Sequence, residues 1–303
     1  MVSRPLVSVV MAVFNGGARL GATLDSLLEQ QGCDFEIIVV DDGSTDDTAS
    51  ILARYAARDE RVRVFRRDNA GLTLSLIFGC AQAIGEYIAR QDADDLSLPD
   101  RLHVQSSYLL AHPEVVIVAS AVRFVAPEGE WLHSVTPPAS ISIQLDIDRI
   151  RAPPLVGAMF RRDAYLRCGG FQKEMVVAQD VDLWLRLEEV GACHGIADLH
   201  YEGRMTLGGI TSRRRHTQMA ATRLAISCAL ARRAGKTDSA LLQSAAFPAR
   251  STGGTPRLAR ARFNYFIACC LRRNDRAASR RYLRRVLHDN PFHVKALYRW
   301  LVG

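Results

Sequence analysis

The chain has 303 residues, of which 48% are hydrophobic and 23% are charged. Its formal net charge at pH 7 is +7, from 39 Lys and Arg against 32 Asp and Glu. This length suffices for one large or two modest domains with a sizeable core, and the composition excludes a disordered chain. No apolar run approaches the roughly 18 residues that a membrane-spanning helix needs, so the sequence predicts no transmembrane segment.

The charges are divided unevenly along the chain. Residues 1–203 contain 18 Lys and Arg against 29 Asp and Glu, whereas residues 204–303 contain 21 against 3. Such an asymmetry indicates two functional parts. We therefore predict one domain over residues 1–212 and a basic α-helical region over residues 213–303. The acidic part is the better candidate for a metal site, and the basic part for contact with an anionic surface.

The first hundred residues alternate between apolar, β-rich runs and segments with helical spacing. Strands are predicted over residues 7–13, 35–40, 62–65 and 87–89, with helices over residues 20–31, around 51–55 and over 72–84. Strands joined by right-handed helical crossovers form a parallel sheet. The predicted fold class is therefore α/β, with a Rossmann-like, doubly wound, mostly parallel sheet and a C-terminal α-helical appendix.

The remaining elements are less regular. The sequence predicts a helix ending near Ala111, a strand over 115–120, an irregular stretch over 126–154, a short helix over 163–166 and a helix over 179–190. From about Arg213 the chain is rich in Ala, Leu and Arg at helical spacing. A linker is predicted over 248–256, followed by two or three helices over 258–301.

Three polar clusters directly follow predicted strands: VFN at 13–15, DDGSTDD at 41–47 and DADD at 92–95. Ligands of open parallel sheets bind outside the carboxyl ends of the strands, so we expect these clusters to meet at one edge. Alternate carboxylates in DADD can hold a hard divalent ion and leave positions open for phosphate oxygens. The alternative is an acidic turn with a capping role, which the convergence of three clusters disfavours.

Two further acidic pairs have both a functional and a structural interpretation. The Asp41–Asp42 pair can accept hydrogen bonds from a nucleobase or a ribose, while the residues from Ser44 to Asp47 fit a helix N-cap. Asp180 and Asp182 open a helix, where the helix dipole stabilises an acid by roughly 0.3–1 kcal/mol. Capping explains them, but a rigid helix start also suits Asp180 as a general base, which must be held near its proton.

Six segments occur in the order and spacing of the family 2 glycosyltransferases, which the chain resembles over about residues 6–212. They are VSVVMAVFN, FEIIVVDDGSTDDT, DNAGL, GEYIARQDADDLSLPDRL, GAMFRRDAYLRCGGF and AQDVDLWLRL. The resemblance implies the GT-A fold of nucleotide-diphospho-sugar transferases. It also implies a metal-dependent, inverting, hexosyltransferase-type enzyme that moves a sugar from a nucleotide sugar, which we expect to be a UDP-sugar. The acceptor would be a hydroxyl of a glycan or a lipid-linked molecule, in polysaccharide biosynthesis at the cell envelope.

The resemblance also assigns site residues by position. On the donor side, Ala12 and Val13 would line the nucleobase pocket, Asp42 would bond the base, and Asp92 would contact the ribose or nucleotide. Asp94 would hold Mn²⁺ or Mg²⁺, and Asp180 would be the catalytic base. Gly169, Gly170 and Phe171 would shape the acceptor side. Three positions depart from the family pattern. Ile77 stands where Asn is frequent, Thr206 where many members have His, and Gln179 where Glu is frequent.

Other functions fit parts of the same pattern. Asp92 and Asp94 match the spacing of phosphatases with a strand-end DxD nucleophile, although Leu96 stands where those enzymes prefer Thr or Val. A sugar-1-phosphate nucleotidyltransferase would need a Gly-rich basic loop, which NGGAR at 15–19 matches poorly. A third alternative is a non-catalytic membrane- or polyanion-binding protein on a degenerate transferase scaffold.

The arginines of the C-terminal helices are also open to more than one interpretation. They form either a solvated face or a surface for anionic lipids, each charge contributing roughly 1 kcal/mol near a membrane. No nucleic-acid recognition motif accompanies them, so we predict no nucleic-acid partner.

The seven cysteines are scattered and show neither a CxxC pair nor zinc-site spacing. Such a set is typical of a reduced, cytosolic protein with small buried thiols. The run from Leu6 to Phe14 has the length of a short signal-peptide core, but it lacks a clear cleavage site, and a buried first strand explains it as well. The sequence therefore predicts a cytoplasmic location, with peripheral contact at the inner face of the membrane.

Overall fold

The computed structural model describes residues 4–142, 145, 156–207, 215–245, 247 and 256–302. The chain divides into two compact units. The first unit comprises residues 1–122, 135–202 and 219–247, and the second comprises residues 123–134, 203–218 and 248–303.

The described residues form nine strands and eleven helices. The strands are β1 (Val7–Val13), β2 (Phe35–Asp41), β3 (Val62–Arg66), β4 (Tyr87–Asp92), β5 (Leu96–Ser97), β6 (Val115–Val125), β7 (Trp131–Val135), β8 (Met159–Arg161) and β9 (Ala192–Arg204). The helices are α1 (Leu20–Leu28), α2 (Thr48–Arg58), α3 (Leu72–Gln82), α4 (Arg101–Ala111), α5 (Arg162–Arg167), α6 (Gln179–Glu188), α7 (Arg215–Arg233), α8 (Ser239–Gln243), α9 (Arg257–Leu271), α10 (Arg276–Asp289) and α11 (Val294–Val302).

The sheet has the order β3-β2-β1-β4-β8-β6-β9-β5, and β7 pairs with β6. The first four strands in this order are parallel, whereas β8 is antiparallel to both β4 and β6, and β5 is antiparallel to β9. The predicted parallel α/β arrangement is therefore confirmed over the first hundred residues. The sequence did not predict β7, which lies within the stretch expected to be irregular. Residues 143–144 and 146–155 of that stretch lie outside the described residues.

Both faces of the central strands are covered, which explains why their sequences are continuously apolar. Along β1, Val10 belongs to a core layer with residues of α3, α6 and α7. Its neighbours Val9 and Met11 point to the opposite layer, which contains residues of α1, α2 and α4. Successive side chains of a strand alternate between faces, so one apolar run supplies both layers.

The second unit has its own apolar core. Residues of α9 and α10 pack with Ala126, Leu132 and Ala296 in one buried cluster. Helix α10 begins after Asp275, whose carboxylate accepts a hydrogen bond from the backbone N–H of Ala278 at 2.8 Å. The two or three helices expected over residues 258–301 are confirmed, and the structure has three.

The predicted domain boundary between residues 212 and 213 lies outside the described residues, as does the predicted linker apart from Pro256. The two units do not divide at a single point in the sequence, because each contains stretches from both sides of that boundary. Residues 219–233 of α7 belong to the first unit, where Ala221, Ala225 and Ala229 are buried in its core. Residues 123–134 belong to the second unit instead.

Two further sequence expectations concern membranes and thiols. Within the described ranges, every helix is too short or too polar to cross a bilayer. All seven cysteines are free thiols, as their scattered positions indicated.

Helix α3 lies against the sheet at Gly79, and this close approach makes a stability prediction. A Cβ at Gly79 would come within 2.7 Å of Val10 Cγ1 and 3.3 Å of Val40 Cγ2. We expect Gly79→Val to lower the free energy of unfolding by about 1–3 kcal/mol because it overpacks this contact. Ala81→Val is the matched control, since Ala81 is exposed on the same helix and incurs only the β-branched helix penalty, below about 0.7 kcal/mol. Equal urea midpoints for the two variants would contradict the close packing.

Candidate active site

Four of the residues assigned by position share one edge of the sheet. In the register of the strands, Ala12 lies opposite Asp92 on β4, and Val13 lies opposite Asp41 on β2. The backbone N–H of Asp42 donates to the carbonyl of Val13 at 2.8 Å. The carboxyl ends of β1, β2 and β4 therefore bring Ala12, Val13, Asp42 and Asp92 together, as the strand pattern predicted.

The loop after β1 is fixed against the loop after β2. Asn15 has a positive φ of 55°, which Asn tolerates better than most side chains. Its side-chain oxygen accepts from the backbone N–H of Thr45 at 2.8 Å, and its own N–H donates to the Ser44 hydroxyl at 2.9 Å. Within the segment from Ser44 to Asp47 that was expected to cap α2, Ser44 is therefore used in this contact, and the helix start is served by Asp46 and Asp47. The backbone N–H of Thr48, the first residue of α2, donates to the Asp46 carboxylate at 3.1 Å.

The two acids that end β2 have different surroundings. The carboxylate of Asp42 is buried and accepts hydrogen bonds from the backbone of Ala70 and Gly71 and from the Ser75 hydroxyl, each at about 2.9 Å. Asp42 thereby holds the start of α3. Asp41 accepts from the Ser44 N–H through Oδ1, whereas its buried Oδ2 has no hydrogen-bond partner among the residues that the structure describes. That oxygen lies 3.7 Å from Arg66 Nε in an ion pair, so both acids of the pair have structural partners.

A buried arginine pairs with the acid at the end of β4 and acts electrostatically on Asp180 at the start of α6. Arg90 Nη1 lies 2.6 Å from Asp92 Oδ2, and the Arg90 side chain is only 11% exposed. Burial disfavours its charge, but the charges of Asp92, Tyr201 and Asp180 and the hydrogen bond to Asp92 raise the guanidinium pKa above its usual range. Arg90 is thus a permanent positive charge that lies close to two of the predicted site carboxylates.

The predicted base, Asp180, lies in the first turn of α6. The residue before the helix, Ala178, has a positive φ of 55°, a strained value for a residue with a Cβ and one that is typical of functional sites. Burial raises the pKa of the Asp180 carboxyl, and the charge of Asp92 raises it further. The charge of Arg90 and the hydrogen bond from the Val181 N–H lower it. The net direction is upward, which makes Asp180 a stronger base than an ordinary aspartate.

The neighbouring acid of α6 has a structural role. Asp182 and Arg186 are almost fully buried and form an ion pair of 2.6 Å across one helical turn. Arg186 also donates to the carbonyl of Cys168 at 2.7 Å, which ties α6 to the turn at Gly169 and Gly170. A buried carboxylate with such a partner is costly to unpair, so Asp182 is unsuited to proton transfer.

The turn predicted to shape the acceptor side lies beside α6. Gly170 has a φ of 65°, and a Cβ there would come within 2.8 Å of the Tyr165 ring, so the position needs glycine. Gly169 also has a positive φ, of 83°. Phe171 is buried in the core with its ring centroid 5.7 Å from that of Tyr165. Any influence of Phe171 on an acceptor therefore acts through packing of the turn.

Sequence reasoning missed the polar groups that support the DADD turn. The hydroxyl of Tyr201 on β9 accepts from the backbone N–H of Asp92 at 3.2 Å. The buried Arg101 donates to the side chains of Gln91 and Ser97 at 2.8 and 2.7 Å. Arg90 could have been recognised in the sequence because it is a charged residue that directly follows the apolar start of β4. A charged residue that is buried in a strand must find a partner.

The carboxylates of the DADD turn are of the ligand type that a hard divalent cation prefers. Within the described residues, no three His, Cys, Asp or Glu side chains are grouped closely enough to hold a metal ion by themselves. Mg²⁺ commonly needs only one or two carboxylates, because phosphates and waters complete its coordination. Asp94 is partly exposed in the turn between β4 and β5. Asp92 forms an ion pair with Arg90.

The departures from the family pattern lie in three separate segments of the chain. Ile77 is a partly buried residue of α3 that packs against the apolar core of the first unit. Thr206 belongs to the second unit. Gln179 is buried at the start of α6.

Comparison with known proteins gives a consistent set of relatives. The family model for glycosyl transferase family 2 matches residues 8–169. The putative glycosyltransferase EpsE of Bacillus subtilis is 33% identical over 201 residues, which is 63% of this chain and 69% of that protein. The O-antigen biosynthesis glycosyltransferase WbnJ of Escherichia coli is 32% identical over 189 residues, covering 60% of this chain and 71% of that one.

Solved structures share the fold at lower sequence identity. The crystal structure of residues 1–349 of TarS from S. aureus, in complex with UDP-GlcNAc, aligns with a TM-score of 0.56 and 16% identity. The alignment covers 97% of this chain and 78% of that one. This similarity concerns the fold, and it agrees with the predicted α/β class with C-terminal helices.

The raised pKa of Asp180 predicts how stability depends on pH. A carboxyl whose pKa is higher in the native state than in the unfolded state lowers the free energy of unfolding as pH rises between the two pKa values. The unfolded value is near 3.9. The free energy of unfolding falls by about 1.4 kcal/mol for each pH unit between the two values. We expect Asp180→Asn, which keeps an acceptor for the Val181 N–H, to be more stable than the unchanged protein above that window. The difference should grow from about pH 4 upward in thermal unfolding.

Asp163→Asn is the control, since this residue is an exposed acid in the first turn of α5. A Tm difference for Asp180→Asn that is no larger at about pH 8 than at about pH 4 would show that the native state does not raise this pKa.

Proposed function

This chain belongs to glycosyl transferase family 2 and is a glycosyltransferase, and on that premise we propose an inverting, metal-dependent transfer from a UDP-sugar to a hydroxyl group. The observation that carries the proposal is the position of Arg90, which brings Asp92 at the end of β4 and Asp180 at the start of α6 into one electrostatic group. Nucleotide contact and proton abstraction are thereby assigned to adjoining carboxylates in the first unit.

The proposed nucleotide site follows the carboxyl ends of β1, β2 and β4. The backbone of Ala12 and Val13 lines the base, and Asp92 contacts the ribose or the nucleotide. Asp42 bonds the base in the assignment by position, but its carboxylate already accepts three hydrogen bonds from the start of α3. Its part in base recognition is then to fix this loop.

The proposed chemistry at Asp180 is a single displacement. The ionised carboxylate takes the proton of the acceptor hydroxyl, and the hydroxyl oxygen attacks the anomeric carbon of the donor sugar. The bond from that carbon to the nucleoside diphosphate breaks on the opposite side, so the anomeric configuration inverts. The raised pKa of Asp180 favours this step, because a stronger base removes a hydroxyl proton more readily. The Gly169–Gly170 turn and the buried Phe171 shape the acceptor side.

Asp94 is the proposed metal ligand, with Mn²⁺ or Mg²⁺ as the ion. When bound, such an ion neutralises the negative charge that develops on the departing diphosphate. The chain contributes a partly exposed carboxylate on a turn that is supported by Tyr201, Arg101 and Gln91. The same support keeps Asp92 and Asp94 in a fixed relation to the sheet edge.

The donor and acceptor classes rest on chemistry that the relatives' names suggest. A UDP-sugar donor is supported by the fold shared with a protein solved with UDP-GlcNAc. A glycan or lipid-linked acceptor, and a place in polysaccharide biosynthesis at the cell envelope, are supported by similarity to an O-antigen biosynthesis enzyme. The 21 Lys and Arg against 3 Asp and Glu in residues 204–303 support a cytoplasmic enzyme that meets an anionic membrane surface.

Replacing the base tests its assignment. We expect Asp180→Asn to lower kcat for sugar transfer by about 10²–10⁴-fold, since it removes general base catalysis. Binding of UDP with Mn²⁺, measured by calorimetry, should remain, because Asp180 is not assigned to the nucleotide. Asp163→Asn should leave both unchanged. Undiminished turnover in Asp180→Asn would remove Asp180 from the role of base.

Removing the metal ligand should separate metal binding from folding. We expect Asp94→Asn to abolish the rise in Tm that Mn²⁺ adds in the presence of UDP, because ligand binding stabilises the native state only when the site is intact. Asp100→Asn is the matched control, an exposed acid after β5 at a positive φ that Asn also adopts. An unaltered Mn²⁺-dependent shift in Asp94→Asn would place the ion elsewhere.

A further inference from the structure

The last helix of the second unit exposes a broad apolar side. Val294, Tyr298, Leu301 and Val302 follow helical spacing on α11 and, together with Phe292 just before the helix, are 65–90% exposed. On the other side of α11, Ala296 is buried and Trp300 packs against the core of the unit. Large apolar side chains contiguous on one surface mark an interaction site more often than a solvated face.

A row of arginines runs along the neighbouring helix. Arg276, Arg280 and Arg284 are exposed and spaced by four residues on α10, where they line a concavity of about 440 Å³ together with Ala277 and Arg281. Among residues 256–302 and the other described ranges, no carboxylate forms an ion pair with these three side chains.

The next arginines along α10 differ, because Arg281 and Arg285 pair with Glu130 and Glu128. One side of the helix therefore carries positive charge that no carboxylate of the described residues neutralises, and the adjoining side carries charge that Glu128 and Glu130 neutralise.

The charged row and the apolar side adjoin each other. Arg299 of α11 lines a second, smaller concavity together with Arg272, Arg276 and Arg280. Lys295 lies one turn before Arg299 on the same helix and is exposed. On the helical wheel, Lys295 and Arg299 border the stripe formed by Tyr298 and Val302. The second unit thus presents apolar side chains bordered by cations on one continuous surface.

We propose that α11 and the Arg276–Arg280–Arg284 row form a docking surface for an anionic phospholipid bilayer. The apolar side of α11 would enter the boundary between headgroups and acyl chains, and the arginines would contact lipid phosphates. Helices of this kind bind membranes through buried apolar area together with attraction to anionic lipids. The inference extends the proposed function, since it identifies the surface through which a transferase with a lipid-linked acceptor reaches that acceptor.

Two other occupants fit this surface less well. A second copy of the chain would pair the surface with itself, because a two-fold interface is isologous, and would bring like-charged arginine rows together. A soluble polyanion would neutralise the arginines but would leave the apolar side of α11 exposed. A bilayer with anionic lipids satisfies both features.

Vesicle sedimentation tests the proposal with a matched pair of variants. The full chain should bind vesicles of phosphatidylcholine with phosphatidylglycerol at about 0.15 M salt and should bind pure phosphatidylcholine vesicles much more weakly.

Arg280→Gln with Arg284→Gln should weaken binding about 25-fold, since each cation near the membrane contributes about fivefold. Arg281→Gln with Arg285→Gln removes the same charge from the same helix but from the carboxylate-paired side, and it should weaken binding less than about fivefold. Tyr298→Ser with Leu301→Ser should also weaken binding, by at least about tenfold.

Each alternative outcome overturns the proposal in a distinct way. Equal losses for the two arginine pairs would make the effect one of net charge. Binding that survives in the Tyr298→Ser, Leu301→Ser variant would indicate anion binding without insertion of α11. A failure to bind vesicles, with self-association that the same apolar variant abolishes, would assign the surface to a second copy. Calorimetry with UDP and Mn²⁺ on the same samples keeps this inference separate from the proposed function, because donor binding does not depend on α11.

Discussion

The pairing of the buried Arg90 with carboxylates is the interaction on which the arrangement of the site depends. Asp92 lies 2.6 Å from Arg90 in a largely buried position, and Asp180 lies within the influence of the same charge. The charge of Asp92 raises the pKa of Asp180, and the guanidinium of Arg90 opposes this effect. One cation thus acts on both Asp92 and Asp180, whose carboxyl pKa is raised by burial.

Much of the fold could be predicted because its causes are local. The continuous apolar runs of β1, β2 and β4 follow from burial on both faces, and the helices between them follow from their apolar spacing. The rule that parallel strands end at the same edge then places Ala12, Val13, Asp42 and Asp92 together from the sequence alone. The register of the strands agrees with that placement.

The rest of the site depends on contacts between residues distant in sequence. Neither the hydrogen bond from Asn15 to Ser44 nor the enclosure of Asp42 by the start of α3 has a local signature. The same holds for Tyr201, which supports the DADD turn from a strand more than a hundred residues away. Strand β7 was missed because its sequence, WLHSV, is short and largely exposed within a Pro- and Ser-rich stretch. Membership of the family decides between transfer and the phosphatase alternative, which strand-end carboxylates alone leave open.

The most direct test of the account is a crystal structure of the chain with a UDP-sugar and Mn²⁺. The account predicts an anomalous manganese peak beside Asp94, the uracil along Ala12 and Val13, and the Asp180 carboxylate facing the anomeric carbon of the donor. A nucleotide bound away from the carboxyl ends of β1, β2 and β4, or a donor sugar turned away from Asp180, would contradict it.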